Sequence, residues 1–104
     1  MIEVKSIKID GKSAPTTVEF LVGSEAFTVT GATHLDAVAE AIQTAMGYKV
    51  AIGHLYVDRP GRQIQMSHPD GSEYSSPIKN PSLEAEILAY FDVLNQVMHH
   101  PTGV

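Results

Sequence analysis

Five histidines, His34, His54, His68, His99 and His100, are the side chains of this 104-residue chain best suited to hold a metal or to move protons near neutral pH. Their spacing works against both uses. Only His99 and His100 are adjacent, and no His-x-x-x-His or His-Glu-x-x-His is present to put two imidazoles on one helix face. The histidines therefore read as structural or solvated, and no metal site is expected. Cysteine is absent, which excludes thiolate ligands, disulfides and a Cys nucleophile. No Gly-x-Ser-x-Gly elbow occurs. Gly11-Lys12-Ser13 matches only the end of a phosphate loop; it lacks the upstream glycine and runs into Ala14-Pro15 instead of a helix. No catalytic residue and no cofactor are assigned, and a non-enzymatic function is expected.

Two helix starts remain as candidate ligand sites. A helix N-terminus presents free N–H groups that can receive a carboxylate or phosphate. At the first start the candidates are Gly31, Thr33, His34 and Asp36; at the second they are Asn80 and Ser82. Each start also reads as a plain cap, with Asp36 bonding the Thr33 amide in an acidic variant of the capping box, and with Asn80 or Ser82 capping the second helix.

The elements that position these residues follow from periodicity. Ile2 to Ile9 reads as a strand in which Ile2 and Val4 share one parity and Ile7 and Ile9 the other, so a bulge is expected near Lys5-Ser6. Thr17 to Val22 and Ala26 to Thr30 alternate cleanly across the hairpin signal Gly23-Ser24-Glu25. The period then changes from 2 to 3.6: Leu35, Val38, Ala39, Ile42 and Met46 predict a helix from Thr33 or His34 to Met46, with Gly47 at its C-terminal cap. Tyr48 to Val57 is apolar on both parities and reads as a central strand. Gln63 to Ser67 and a short Glu73 to Ser75 follow, the turn between them marked by Pro69-Asp70-Gly71. Pro77 and Pro81 are expected to keep the next stretch irregular. A last helix carries the stripe Leu83, Ile87, Tyr90, Phe91, Leu94 and Met98, widened by Leu88 and Val97.

The expected class is therefore α+β: two βββα-like units, a mostly antiparallel sheet of five to six strands, and two helices on one face. One domain over 1–104 is expected, with a disordered tail at 100–104. Two helices cover one sheet face, so Leu21, Ala51, Leu55 and Val57 are expected to form an apolar outer surface, and a homodimer to cover it.

Twelve acids against seven bases give a net charge of −5, with no basic stripe, so nucleic acid is not an expected partner. No apolar run approaches the roughly 20 residues of a membrane-spanning helix. Met1-Ile2-Glu3-Val4-Lys5 alternates like a strand and lacks the apolar core of a secretory leader, so a cytoplasmic location is expected.

Val18-Glu19-Phe20-Leu21-Val22, a turn, Phe27-Thr28-Val29-Thr30-Gly31 and then Leu35-Asp36-Ala37-Val38 with Ala41-Ile42 resemble the first βββα unit of the C-terminal regulatory domain of 2-isopropylmalate and citramalate synthases. Pro81-Ser82-Leu83-Glu84-Ala85-Glu86, with Ala89-Tyr90 and Leu94-Asn95, is similar to that family's closing helix. Thr33 and His34 stand where the family has its second glycine and proline, and Ile78-Lys79-Asn80 where it has a glycine-rich turn. The resemblance implies a regulatory module of amino-acid biosynthesis that binds a branched-chain amino acid or related small carboxylate at a dimer interface, next to these helix starts. A structural or protein-interaction module without a small ligand is the alternative.

Overall fold

Alternating apolar side chains build the first three strands, β1 (Ile2–Ile9), β2 (Thr16–Val22) and β3 (Glu25–Gly31), paired antiparallel in that order. A computed structural model of the chain describes residues 2–9, 15–31, 34–46, 54–58, 62–67 and 71–98. Ile2 faces Val22 and Val4 faces Phe20; the register then slips between Val4 and Ser6, and Ile7 faces Val18. The bulge at the expected place turns two apolar pairs of opposite parity onto one face. In the two-residue turn between β2 and β3, Gly23 takes φ +65°, a conformation that favours glycine, and closes the Val22–Glu25 pair.

The second unit repeats the plan with β4 (His54–Asp58), β5 (Gln63–Ser67) and β6 (Glu73–Pro77), antiparallel in that order. The fold is α+β with two βββα units, and the six strands among the described residues form two three-stranded antiparallel sheets. Pro77 is the last residue of β6, not part of an irregular stretch. Ile78 N–H donates to the Arg62 carbonyl at 2.6 Å, so Pro77, one residue earlier, turns its nitrogen to the open side of this edge strand, where no donor is needed. Of the expected strand Tyr48 to Val57, residues 48–53 lie outside the described residues, as do the turn at 10–13, Thr33, Gly47, His68, His99, His100 and the tail 100–104.

Helix α1 (Leu35–Ala45) lies on β3 and buries Leu35, Val38, Ala39 and Ile42, with Met46 buried at its C-cap. Helix α2 (Leu83–Met98) lies across β1 of the first sheet and β5 and β6 of the second, and touches α1. A helix shared by two sheets must be apolar around most of its circumference. Ile87, Tyr90, Phe91, Leu94 and Val97 are buried as expected, and Ala85, Ala89 and Val93 join them. Leu88 does not: it is 48% exposed, on a narrow stripe with Glu84 and Asp92.

Phe20 centres the packing, stacked on Phe27 with ring centroids 5.3 Å apart and tilted against Phe91 at 5.1 Å. The Tyr90 hydroxyl accepts from Gln43 Nε2 at 2.9 Å and donates to the Ala39 carbonyl at 3.4 Å, which ties α2 to α1. Two neighbouring amides on α2 bind the two sheets. Asn95 Oδ1 accepts from Ile2 N–H at 2.7 Å while its Nδ2 donates to the Ile2 carbonyl at 3.1 Å. Gln96 Nε2 donates to the Ser75 carbonyl on β6 at 2.9 Å. Side-chain amides thus occupy backbone groups of edge strands in both sheets.

Among the described residues the outer sheet faces are mostly polar. On the first sheet the side chains opposite the core are Glu3, Ser6 and Lys8, Thr17 and Glu19, and Thr28 and Thr30, with Leu21 and Ala26 as the apolar members among the described residues. Val57, expected on an apolar outer surface, packs against the core, and Ala51 lies outside the described residues. Tyr56, 51% exposed, shares the outer face of the second sheet with Gln65 and Ser75.

Candidate functional site

The first helix start is built by close packing. Gly31 ends β3 against α1, and a Cβ placed there would sit 3.0 Å from Val38 Cα and 3.1 Å from Val38 Cγ2. A side chain there would force the helix backbone back by a few tenths of an ångström, and glycine avoids that. His34 is the N-cap in an extended conformation; its Nδ1 accepts from Ala37 N–H at 3.4 Å, and its carbonyl accepts from Val38 N–H at 3.3 Å. The cap expected of Thr33 with Asp36 is thus carried by His34. Thr33 lies outside the described residues, and Asp36 is exposed in the first turn, where its charge suits the helix dipole. Across the strands, Thr16 faces Gly31; its side chain is fully buried and its Oγ1 has no described hydrogen-bond partner.

At the second start Ser82 is the cap. Its Oγ accepts from Ala85 N–H at 3.1 Å, its carbonyl accepts from Glu86 N–H at 3.1 Å, and its hydroxyl donates to Asn80 Oδ1 in a short bond. Here the surface opens into a groove of about 490 Å³. One wall is the β6 end and the turn that follows, from Ser76 and Pro77 through Lys79 and Asn80 to Ser82; the other is the α2 face Glu84, Ala85, Leu88, Ala89 and Asp92. A smaller hollow of about 290 Å³ adjoins it, lined by Arg62, Ile78, Asn80, Pro81 and Glu86, so Asn80 stands between the two.

Two of the sequence-derived site residues, Asn80 and Ser82, line the groove; Gly31, His34 and Asp36 do not. The two helix starts do not converge on one pocket among the described residues. Lys79 and the Ala85-Leu88-Ala89-Asp92 face were missing from the sequence-derived site. Their spacing of i, i+3, i+4 and i+7 places them on one helix face, but in a helix apolar nearly all round that spacing does not separate a groove wall from core.

The groove brings together the charges and surfaces a small amphiphile needs. Lys79 is exposed and makes no ion pair with a described residue. Glu84 and Asp92 supply negative charge on the facing helix, and Ala85, Leu88 and Ala89 an apolar strip between them. Among the described residues no three His, Asp or Glu side chains are grouped to hold a metal ion, and no helix is long and apolar enough to cross a membrane. No family model, curated protein or solved structure matches the chain.

Proposed function

We propose that this chain is a non-catalytic regulatory module that binds a small amino acid with an aliphatic side chain in the groove at the start of α2. The observation that carries the reading is the make-up of that groove: one ammonium, Lys79, on the turn wall, two carboxylates, Glu84 and Asp92, on the helix wall, and Ala85, Leu88 and Ala89 between them. A zwitterion sets its carboxylate by Lys79 and its ammonium by one of the two acids, and lays its side chain on the alanines and leucine. A groove of about 490 Å³ falls in the usual range of small-molecule sites. The resemblance of the first βββα unit and of the closing helix to the regulatory domain of 2-isopropylmalate and citramalate synthases supports the same ligand class, a branched-chain amino acid or related small carboxylate. It also supports a homodimer.

Thermal unfolding in the presence of leucine, isoleucine, valine, their 2-keto acids and citramalate tests the reading. A ligand at 100 times its Kd stabilises a folded domain by about 2.7 kcal/mol, on the order of 10 °C for a chain of this size. At least one amino acid is expected to raise Tm, its 2-keto acid less so because it lacks the ammonium, and Lys79→Ala to abolish the shift. No shift with any of them leaves the second reading, a protein-interaction module. Its supporting observation is Leu88, a large apolar side chain 48% exposed on the helix wall of the same groove.

A further inference from the structure

Arg62 stands where its backbone conformation disfavours it. It precedes β5 at φ +55°, in the left-handed region that glycine enters freely and a residue with a side chain occupies at a cost. The other described residues with positive φ, Gly23 and Gly71, are glycines. Side chains held against such a cost cluster at ligand sites. This one lines the hollow of about 290 Å³ beside the groove, together with Ile78, Asn80, Pro81 and Glu86. The Arg62 carbonyl accepts from Ile78 N–H at 2.6 Å, which fixes its backbone against the turn that carries Lys79 and Asn80. Two cations, Lys79 in the groove and Arg62 in the hollow, thus flank one amide that lines both cavities.

Taking the groove as the amino-acid site, we propose that the hollow is its second compartment, where Arg62 receives a second carboxylate. The preferred ligand is then an amino dicarboxylate, an amino acid whose aliphatic stem ends in an acid.

Each part of such a ligand meets a matching group. The α-carboxylate lies by Lys79, and the ammonium by Glu84 or Asp92. The stem leads past Asn80, and the far carboxylate meets the Arg62 guanidinium, whose planar fork suits a carboxylate with two parallel hydrogen bonds. Asn80 is set for that passage. Its Oδ1 accepts from the Ser82 hydroxyl, and Ser82 Oγ in turn accepts from Ala85 N–H as the cap of α2. The Nδ2 group is therefore what the amide offers to a carboxylate, while Ser82 positions it. A phosphate suits the hollow less well. Glu86 shares its wall, and an acid beside the cation tolerates a monoanion better than a dianion.

Isothermal titration calorimetry of the full chain with leucine, glutamate and 2-aminoadipate, in the wild type and in Arg62→Gly, tests the proposal. Glycine relieves the positive φ, so the variant is expected to keep the wild-type circular dichroism spectrum. The better of the two amino dicarboxylates is expected to bind the wild type about tenfold more tightly than leucine, the gain from one charge-assisted contact. In Arg62→Gly that gain is lost, while leucine affinity is unchanged. Should the glycine variant fail to fold, Arg62→Gln supplies the same comparison. Leucine binding with no gain from the second carboxylate overturns the second compartment and leaves the groove reading standing. A gain that survives removal of the guanidinium overturns the role of Arg62. A dicarboxylate that binds through Arg62 where leucine does not bind upholds the hollow and overturns the aliphatic ligand class. No binding by any of the three overturns hollow and groove together.

Discussion

Gly31 and Tyr90 show how much a single position decides. Gly31 follows a threonine-rich strand and precedes a helix, which in sequence fits a ligand-binding turn as well as a tight joint. The geometry explains it as a joint: a Cβ would meet Val38 Cα at 3.0 Å, in a helix backbone that cannot yield without moving α1. Gly31→Ala is expected to destabilise the fold by about 1–3 kcal/mol, the usual cost of overpacking. The check is a lower urea midpoint with an unchanged m-value. At an ordinary extended position the same change would be mildly stabilising, so no loss of stability would remove the joint. Tyr90 carries a pH dependence. Burial pushes its phenol up from 10.0 to about 12, while the Gln43 hydrogen bond opposes the rise. The folded state binds this proton more tightly than the unfolded state, so the contribution is complete below pH 10 and is lost as pH rises toward 12. The total is roughly 3 kcal/mol at 1.36 kcal/mol per unit. Denaturant unfolding between about pH 9 and 12 should show the decline in the wild type and a flatter profile in Tyr90→Phe; parallel profiles would contradict it.

At the level of elements, what could be read in the sequence is what local periodicity determines. Parity slips between Ile2/Val4 and Ile7/Ile9, and the bulge lies where it slips. Leu35, Val38, Ala39, Ile42 and Met46 recur at helical spacing, and all are buried. Ser82 was legible as a cap because serine competes well for that position; His34 was not, because imidazole is an uncommon cap and the adjacent Thr33 a common one. The division of six strands between two sheets was also hidden, since alternation tells which face a residue takes but not which distant strand it pairs with. Leu88 departs from expectation for a related reason: α2 serves two sheets, so its exposed side is too narrow to show as a polar stripe. Of the candidate site, Asn80 and Ser82 were legible as a helix start. The rest, Lys79 and the small-residue face of α2, depends on where β6 ends against the helix. Asn95 and Gln96, ordinary polar residues in sequence, tie that helix to both sheets. Asn95→Ala strands the Ile2 N–H and C=O and is expected to cost about 1–3 kcal/mol. Amide hydrogen exchange at Ile2 should accelerate, and unchanged protection there would contradict the tie.

For the whole molecule, the two units meet on α2, and the groove lies where that helix begins, beside the end of β6. Ligand bound there touches the turn and the helix that bridges both sheets, so binding is coupled to the stability of the molecule as a whole. The central claim is that the groove is the ligand site, and the most direct measurement is an amide chemical-shift titration of the full chain with leucine, isoleucine and valine. Saturable shifts centred on residues 79–89, absent in Lys79→Ala, are the expected result. Saturable shifts centred instead on Gly31 to Val38, or no shift with any of the three at millimolar concentration, would contradict it.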